Sequence, residues 1–259
     1  MLAKAHDGFV NKFRLPLVRK GEFPQQLHFA TTDDGLTIAA LMANTTRLGA
    51  PSAAPQLTAE HDLSVRVHES LVGNAAETIL AGLTLTDEKL AEMMKEATGE
   101  VPEELQISED KDPWSITFSD ARPVAVVFTG NTCTIAIHAR GFMRGDQEIK
   151  NDIVISAKYK LEQAGQGSKL TRDGDVAVEF VNSKGSLSVS QVAFKTFIRR
   201  KFASLFKPEI ANDGLKLPGR WERAGKLVLR QLEADKGWLT LGWEQPAAAT
   251  SSAPRTAAR

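Results

Sequence analysis

Ile153-Val154-Ile155-Ser156-Ala157-Lys158-Tyr159-Lys160-Leu161 is the stretch that decides the fold. Ile153, Ile155, Ala157, Tyr159 and Leu161 fall on one side of an extended chain, and Ser156, Lys158 and Lys160 fall on the other, because side chains of a strand alternate faces. A strand with one apolar and one polar face belongs to an antiparallel sheet that is packed on one side and solvated on the other. Upstream, Trp114, Ile116 and Phe118 repeat the pattern, as do Val124, Val126 and Phe128. Downstream, Gly165-Gln166-Gly167-Ser168 reads as a hairpin turn, and an Asp173-Gly174 turn leads to Val176, Val178 and Phe180.

The same period appears at both ends of the chain. Leu27 and Phe29 alternate with Gln26, His28 and Ala30, and the turn Asp33-Asp34-Gly35 sends Leu36 to Met42 back along them as a hairpin. Leu63, Val65 and Val67 alternate with Ser64, Arg66 and His68. A terminal hairpin joins Leu227–Leu232 to Leu239–Trp243 through Ala234-Asp235-Lys236-Gly237.

Four segments carry helical periodicity instead. Leu2, Ala5, Phe9, Phe13 and Leu17 predict an amphipathic helix that Pro16 ends. Ser70–Ala81 carries a stripe of Leu71, Val72, Ala75, Ile79 and Leu80, with Gly82 placed as the residue after the cap. A third helix starts at Thr86 as N-cap, with Asp87 and Glu88 in the first turn and Leu85 and Leu90 spaced as a hydrophobic staple; Gly99 follows its end. The last has the Ser188–Gln191 capping box, a Leu187–Val192 staple, a stripe of Phe194, Phe197, Ile198, Phe202 and Leu205, and Pro208 as its stop.

These elements predict an α+β fold: an antiparallel, curved β-sheet packed against several amphipathic helices. Residues 1–245 read as a single domain, with 1–48 as an N-terminal helix–hairpin lobe and 44–60, rich in Pro, Gly and Ala, as a linker. Residues 246–259 hold only small, polar and basic side chains with no core formers, and are expected to be disordered.

Composition narrows the function classes. Lys plus Arg and Asp plus Glu both number 32, so the net charge is zero, which argues against a dedicated nucleic-acid binder. The single cysteine, Cys133, rules out an intramolecular disulfide and a cysteine-based zinc site, and its place in Thr132-Cys133-Thr134-Ile135 reads as a buried, inert strand position. No apolar run approaches the roughly 20 residues of a membrane span, and the N-terminus has no signal-peptide core. The expectation is therefore a cytoplasmic protein. The chain also opens directly into a helical pattern, as a truncated reading frame would, which would move it to the cell envelope.

His61 and His68 are seven residues apart, an odd spacing that sends them to opposite faces of one strand. His28, His68 and His138 sit on the polar sides of their strands and would form a metal or acid–base site only if those strands were neighbours. Gly165-Gln166-Gly167 lacks the third glycine of a phosphate loop, since position 170 is Leu. Carboxylates at Asp33-Asp34, at Glu109-Asp110 with Asp112, and at Asp173 with Asp175 fall in turns, where Asp bonds its own backbone. No catalytic, cofactor-binding or metal-ligating residue is assigned. Arg199-Arg200-Lys201 lies beside four phenylalanines, Phe194, Phe197, Phe202 and Phe206. It reads either as a basic helix resting on an anionic membrane or as a core helix whose arginines are solvated while Lys201 snorkels past the core edge.

Two segments carry a resemblance. Asn11-Lys12-Phe13-Arg14-Leu15-Pro16-Leu17 running into Phe23-Pro24-Gln25-Gln26-Leu27-His28-Phe29 is one. Leu217-Pro218-Gly219-Arg220-Trp221-Glu222, with Gly237-Trp238-Leu239-Thr240-Leu241-Gly242-Trp243, is the other. Together they resemble a group of functionally uncharacterised bacterial β-rich proteins that are usually longer and exported. The resemblance implies no activity and no site residues. A long helix laid along a curved antiparallel sheet is also similar to the tubular lipid-binding architecture, a likeness of fold alone.

The sequence thus points first to a non-catalytic binding or structural module that holds an apolar ligand, a lipid or a protein partner between sheet and helices. The alternative is a hydrolase-type enzyme with dispersed polar residues around His28, His68 and His138.

Overall fold

A computed structural model describes residues 26–33, 35–41, 52, 54–55, 61–98, 113–181, 187–212, 215–216, 222 and 225–246. The helix expected over 2–17, most of the 44–60 linker, the Glu109-Asp110-Asp112 cluster and nearly all of the 246–259 tail lie outside these residues.

The chain is mainly antiparallel strand with three helices among the described residues, which bears out the α+β reading. Strands β1 (Gln26–Thr32) and β2 (Gly35–Leu41) pair as a two-stranded sheet of their own. The second sheet has nine strands: β4 (Thr84–Thr86), β5 (Trp114–Phe118), β6 (Val124–Thr129), β7 (Thr132–Arg144), β8 (Gln147–Ile149), β9 (Ile153–Ala164), β10 (Gly167–Arg172), β11 (Ala177–Phe180) and β12 (Glu209–Asn212). The third has the order β13 (Leu215–Lys216), β14 (Lys226–Asp235), β15 (Trp238–Glu244), β3 (Leu63–His68). Helices α1 (Ser70–Leu80), α2 (Asp87–Thr98) and α3 (Val189–Leu205) complete the set.

β7 is the spine of the nine-stranded sheet. β6 and then β5 pair along one of its edges, β9 and then β8 along the other. β9 in turn carries β10 on residues 159–164 and β11 on residues 153–156, end to end along one edge. The Asp173-Gly174 turn is therefore a jog and not a reversal: Asp173 N–H donates to Lys158 O across the break, and the chain continues in the same direction.

The decisive irregularity is in β7. Cross-strand partners share a face, and Cys133, Ile135, Ile137 and Ala139 stand opposite Tyr159, Ala157, Ile155 and Ile153. Beyond Ala139 the inward positions change parity: Phe142 is 1% exposed and Met143 43%. Phe118 pairs with Ala139 but Thr117 pairs with Gly141, leaving Arg140 as the extra residue of a β-bulge. Arg140 turns outward to an exposed ion pair with Asp120. Arg144, opposite Trp114, returns to the inner face.

Helix α3 covers that face. Phe194, Ile198 and Phe202 are its buried stripe, with Phe206 following at its end. Trp114 stacks on Phe142 with ring centroids 5.8 Å apart, and Phe142 meets Phe194 edge-on at 6.0 Å. The expected capping box is present: Ser188 Oγ accepts from Gln191 N–H at 3.2 Å and Gln191 Oε1 from Ser188 N–H at 2.9 Å. Two strand residues hold the other end. Arg172 donates to Ala203 O at 3.0 Å and also to Phe206 O, and Tyr159 donates to Lys207 O at 3.1 Å. A cation beside the last carbonyls of a helix also complements its dipole.

Two expectations fail locally. The stripe read over Ser70–Ala81 is only partly covered: none of its residues is fully buried and Val72 and Ile79 are exposed, while Leu71, Ala75 and Leu80 are half-buried and Leu80 packs against the core. α1 lies against β6 and is tied through polar groups: Arg122 N–H donates to Glu77 Oε2 and Phe128 N–H to Glu69 Oε2. The staple on α3 also fails, because Val192 is 49% exposed. α2 begins as read, with Thr86 Oγ1 accepting from Lys89 N–H and Leu85 buried. Lys236 and Gly237 both take positive φ in the β14–β15 turn, as a tight hairpin of that type requires. Among the described residues, no helix is long and apolar enough to cross a membrane.

Candidate functional site

Among the described residues, a cavity of about 330 Å³ on the seam between α3 and the end of β7 joins two elements with chemistry-bearing side chains. Its described lining is Arg144 from the strand and Ala193, Thr196, Phe197, Arg200, Lys201 and Ser204 from the helix. The helical members recur at three- and four-residue spacings, so they form one face, adjacent to the buried stripe of Phe194, Ile198 and Phe202.

Each wall has a local cause. Phe197 lies half-buried at the margin of the stripe, its ring edge-on to Phe142 at 5.9 Å. The Arg144 guanidinium lies 4.4 Å above the Phe197 ring centroid, and Lys201 Nζ stands 5.7 Å from it. Cations settle on aromatic faces because the ring quadrupole presents negative charge there. The aromatic cluster under the sheet thus seats two cations at one rim, and Arg200 supplies a third from the exposed side of the helix. Among the described lining residues none is acidic. The two hydroxyls are oriented by the helix itself. Thr196 Oγ1 donates to Val192 O at 3.0 Å and Ser204 Oγ donates to Lys201 O at 2.7 Å, so both offer the remainder of the cavity lone pairs.

Sequence reasoning reached this site in part. The run Arg199-Arg200-Lys201 is split as the core-helix reading requires, with Arg199 and Arg200 exposed and Lys201 half-buried over Phe197. Phe194, Phe202 and Phe206 are spent on the core. Arg144 was missed, since only the bulge at Arg140 brings it inward. The recurrence of Ala193, Thr196, Phe197, Arg200, Lys201 and Ser204 was legible as a helical face.

The histidines are not brought together. His28 lies on β1, His68 on β3 and His138 on β7, each in a different sheet. Among the described residues no group of His, Cys, Asp and Glu could hold a metal ion. His61 accompanies Glu244, with Nδ1 3.1 Å from Oε1, and its ring fills the space above Gly242 that a side chain would need.

Among the described histidines, His68 has two serine hydroxyls within hydrogen-bond distance, and its bonding ties the start of α1. Ser70 N–H donates to Nδ1 at 3.2 Å, which makes Nδ1 an acceptor and puts the neutral ring's proton on Nε2. Nε2–H then donates to Ser52 Oγ at 3.2 Å, which also accepts from Trp238 Nε1–H at 3.0 Å. A serine nucleophile must give its proton to the imidazole; Ser52 receives one instead. Ser70 Oγ, 2.8 Å from Nδ1, shares that acceptor with its own backbone N–H. His68 thereby satisfies an orphan donor at the start of α1.

Cys133 is buried, and desolvation pushes its thiol up to about 11, so it carries no reactive thiolate at neutral pH. Burial also raises the Tyr159 phenol, with Arg172 opposing as a lesser influence and Cys133 adding to it.

Comparison with protein families found no matching family model, and no curated protein matches the chain.

Proposed function

We propose that this protein is a non-catalytic binding module whose ligand sits in the cavity between α3 and the end of β7. The observation that carries this reading is the cavity itself: a concave site of about 330 Å³, at the lower end of ordinary small-molecule pockets, walled by a strand arginine and one face of a capped helix. Nothing in its described lining supplies a nucleophile paired with a base. An apolar ligand within the sheet–helix interior is the weaker form of the proposal, because Phe194, Ile198 and Phe202 already fill that space against Trp114 and Phe142. The hydrolase alternative draws no support from His28, His68 and His138, which lie on three separate sheets.

Native mass spectrometry of the protein purified from cells tests the proposal, with Ala193→Trp as a blocked-cavity control. Ala193 is exposed on the cavity wall, so a larger side chain there fills the site without entering the core. The expected result is a small molecule retained by the wild type and absent from the variant. A ligand-free wild type that also gains no thermal stability from any compound in a metabolite library would sink the reading.

A further inference from the structure

We infer that the outward face of α3 rests on an anionic lipid surface, with Val189 and Val192 inserted among the headgroups and Arg199 and Arg200 over the lipid phosphates. This is independent of the cavity reading, because Val189, Val192 and Arg199 are not in the described cavity wall. The first ground is the side of the helix that the core leaves over. Phe194, Ile198 and Phe202 are buried against the sheet, so that stripe is spent. With about 100° between successive residues of a helix, Val189, Val192, Ala193, Thr196, Arg199 and Arg200 fall on the opposite side, and all are exposed.

The second ground is apolar exposure. Val189 is 89% exposed and Val192, one turn on, 49%. Val189 is the most exposed of the large apolar side chains among the described residues. The Ser188–Gln191 capping box fixes this first turn, which holds both valines outward. A helix lying in a membrane interface sets apolar side chains beside basic ones on its exposed surface.

The third ground is charge. α3 carries Lys195, Arg199, Arg200 and Lys201 and no acidic residue, in a chain whose net charge is zero. Lys201 faces Phe197 and takes no part. Arg199 and Arg200 are exposed, and among the described residues no ion pair engages either. The guanidinium fork matches phosphate oxygens, and each basic residue beside an anionic leaflet raises partitioning by about fivefold. The valines decide between a membrane and a nucleic acid. A nucleic acid would satisfy the arginines and leave Val189 and Val192 in water, whereas a lipid interface takes up both. The outside of a helix is also convex, and suits a plane.

Co-sedimentation of the full chain with vesicles tests this, using phosphatidylcholine alone and an equimolar mixture with phosphatidylglycerol. Binding is expected only to the mixed vesicles. It should fall as salt rises from roughly 0.1 M to roughly 1 M, where the screening length shortens from about 10 Å to about 3 Å. Arg199→Gln should weaken binding by about fivefold, and Val189→Asn by about tenfold, the factor for withdrawing most of a valine side chain from an apolar environment. Both residues are exposed and outside the core, so each variant should keep the wild-type melting temperature. Weakening in both variants supports the assignment. No binding to the mixed vesicles, or weakening in one variant without the other, overturns it. Filter binding of duplex DNA is the parallel measurement: DNA held more tightly than the mixed vesicles, and lost on Arg199→Gln alone, overturns the lipid in favor of a nucleic acid. A small molecule retained in the native mass spectrum bears on the cavity alone, so the two readings stand or fall separately.

Discussion

The inner face of β7 and the apolar face of the β1–β2 hairpin have the same sequence pattern and opposite fates. In β7 and its neighbours the alternating apolar residues are covered: Ile155 and Tyr159 on β9 are 0% exposed, and Phe142 is 1% exposed. In the hairpin, Phe29 stands directly across from Ile38, and the two are 63% and 55% exposed. Alternation names the face that would be buried if something lay on it. Whether something does is decided by another element, here α3, whose own stripe must be buried as well.

The largest expected effect breaks the covered side. Phe142 touches Trp114, Phe194 and Phe197, so Phe142→Ala removes the center of the aromatic cluster. Urea unfolding should show a loss of about 3–5 kcal/mol, the usual cost of deleting a buried aromatic side chain. A loss below about 1 kcal/mol would mean that the interface is loosely packed.

Alkali probes the same core without mutation. Burial holds the Cys133 thiol up from an ordinary 9.0 to about 11 in the folded chain. Below pH 9 the thiol is protonated in both states and contributes nothing. Between pH 9 and 11 the unfolded chain releases the proton while the folded chain keeps it, so stability falls as pH rises, by on the order of 2–3 kcal/mol. Tyr159, raised above 10.0 by burial, adds a loss of the same sign at higher pH. Denaturant melts of wild type and Cys133→Ala should diverge across this window; parallel curves would show the thiol to be wetter than its burial implies.

Smaller effects sharpen the contrast. Ser188→Ala removes the acceptor for Gln191 N–H at the start of α3, and should cost about 1 kcal/mol, read as a shift in the urea midpoint. Phe29→Ser should change stability by no more than about 0.5 kcal/mol, since the ring is already largely in water. If Phe29→Ser proved as costly as Phe142→Ala, the two faces would not differ as described.

Much of the fold was legible. The β9 alternation, the Ser188–Gln191 capping box and the Lys236-Gly237 turn all depend on contacts within a few residues, where side-chain chemistry acts directly on the backbone. The α1 stripe was covered only in part, for the opposite reason. Leu71, Val72, Ala75, Ile79 and Leu80 are correctly spaced for burial, but only Leu80 packs against the core, and polar ties from Glu69 to Phe128 of β6 and from Glu77 to Arg122 just before it hold the helix. Periodicity cannot report which polar groups a helix will answer to across 45 or 59 residues of chain.

The candidate site divides along the same line. By itself the sequence determined that Ala193, Thr196, Phe197, Arg200, Lys201 and Ser204 share one face of a capped helix, because the α-helical period allows nothing else. It also determined that the strands have one apolar face each, because the pleat alternates. Only the tertiary structure decided that Arg144 joins that helical face. Strict alternation from Ala139 would have sent Met143 inward and Arg144 to solvent. One extra residue, Arg140, reverses that parity, and a bulge is a property of two strands in register, Thr117 with Gly141 and Phe118 with Ala139, which no single segment contains.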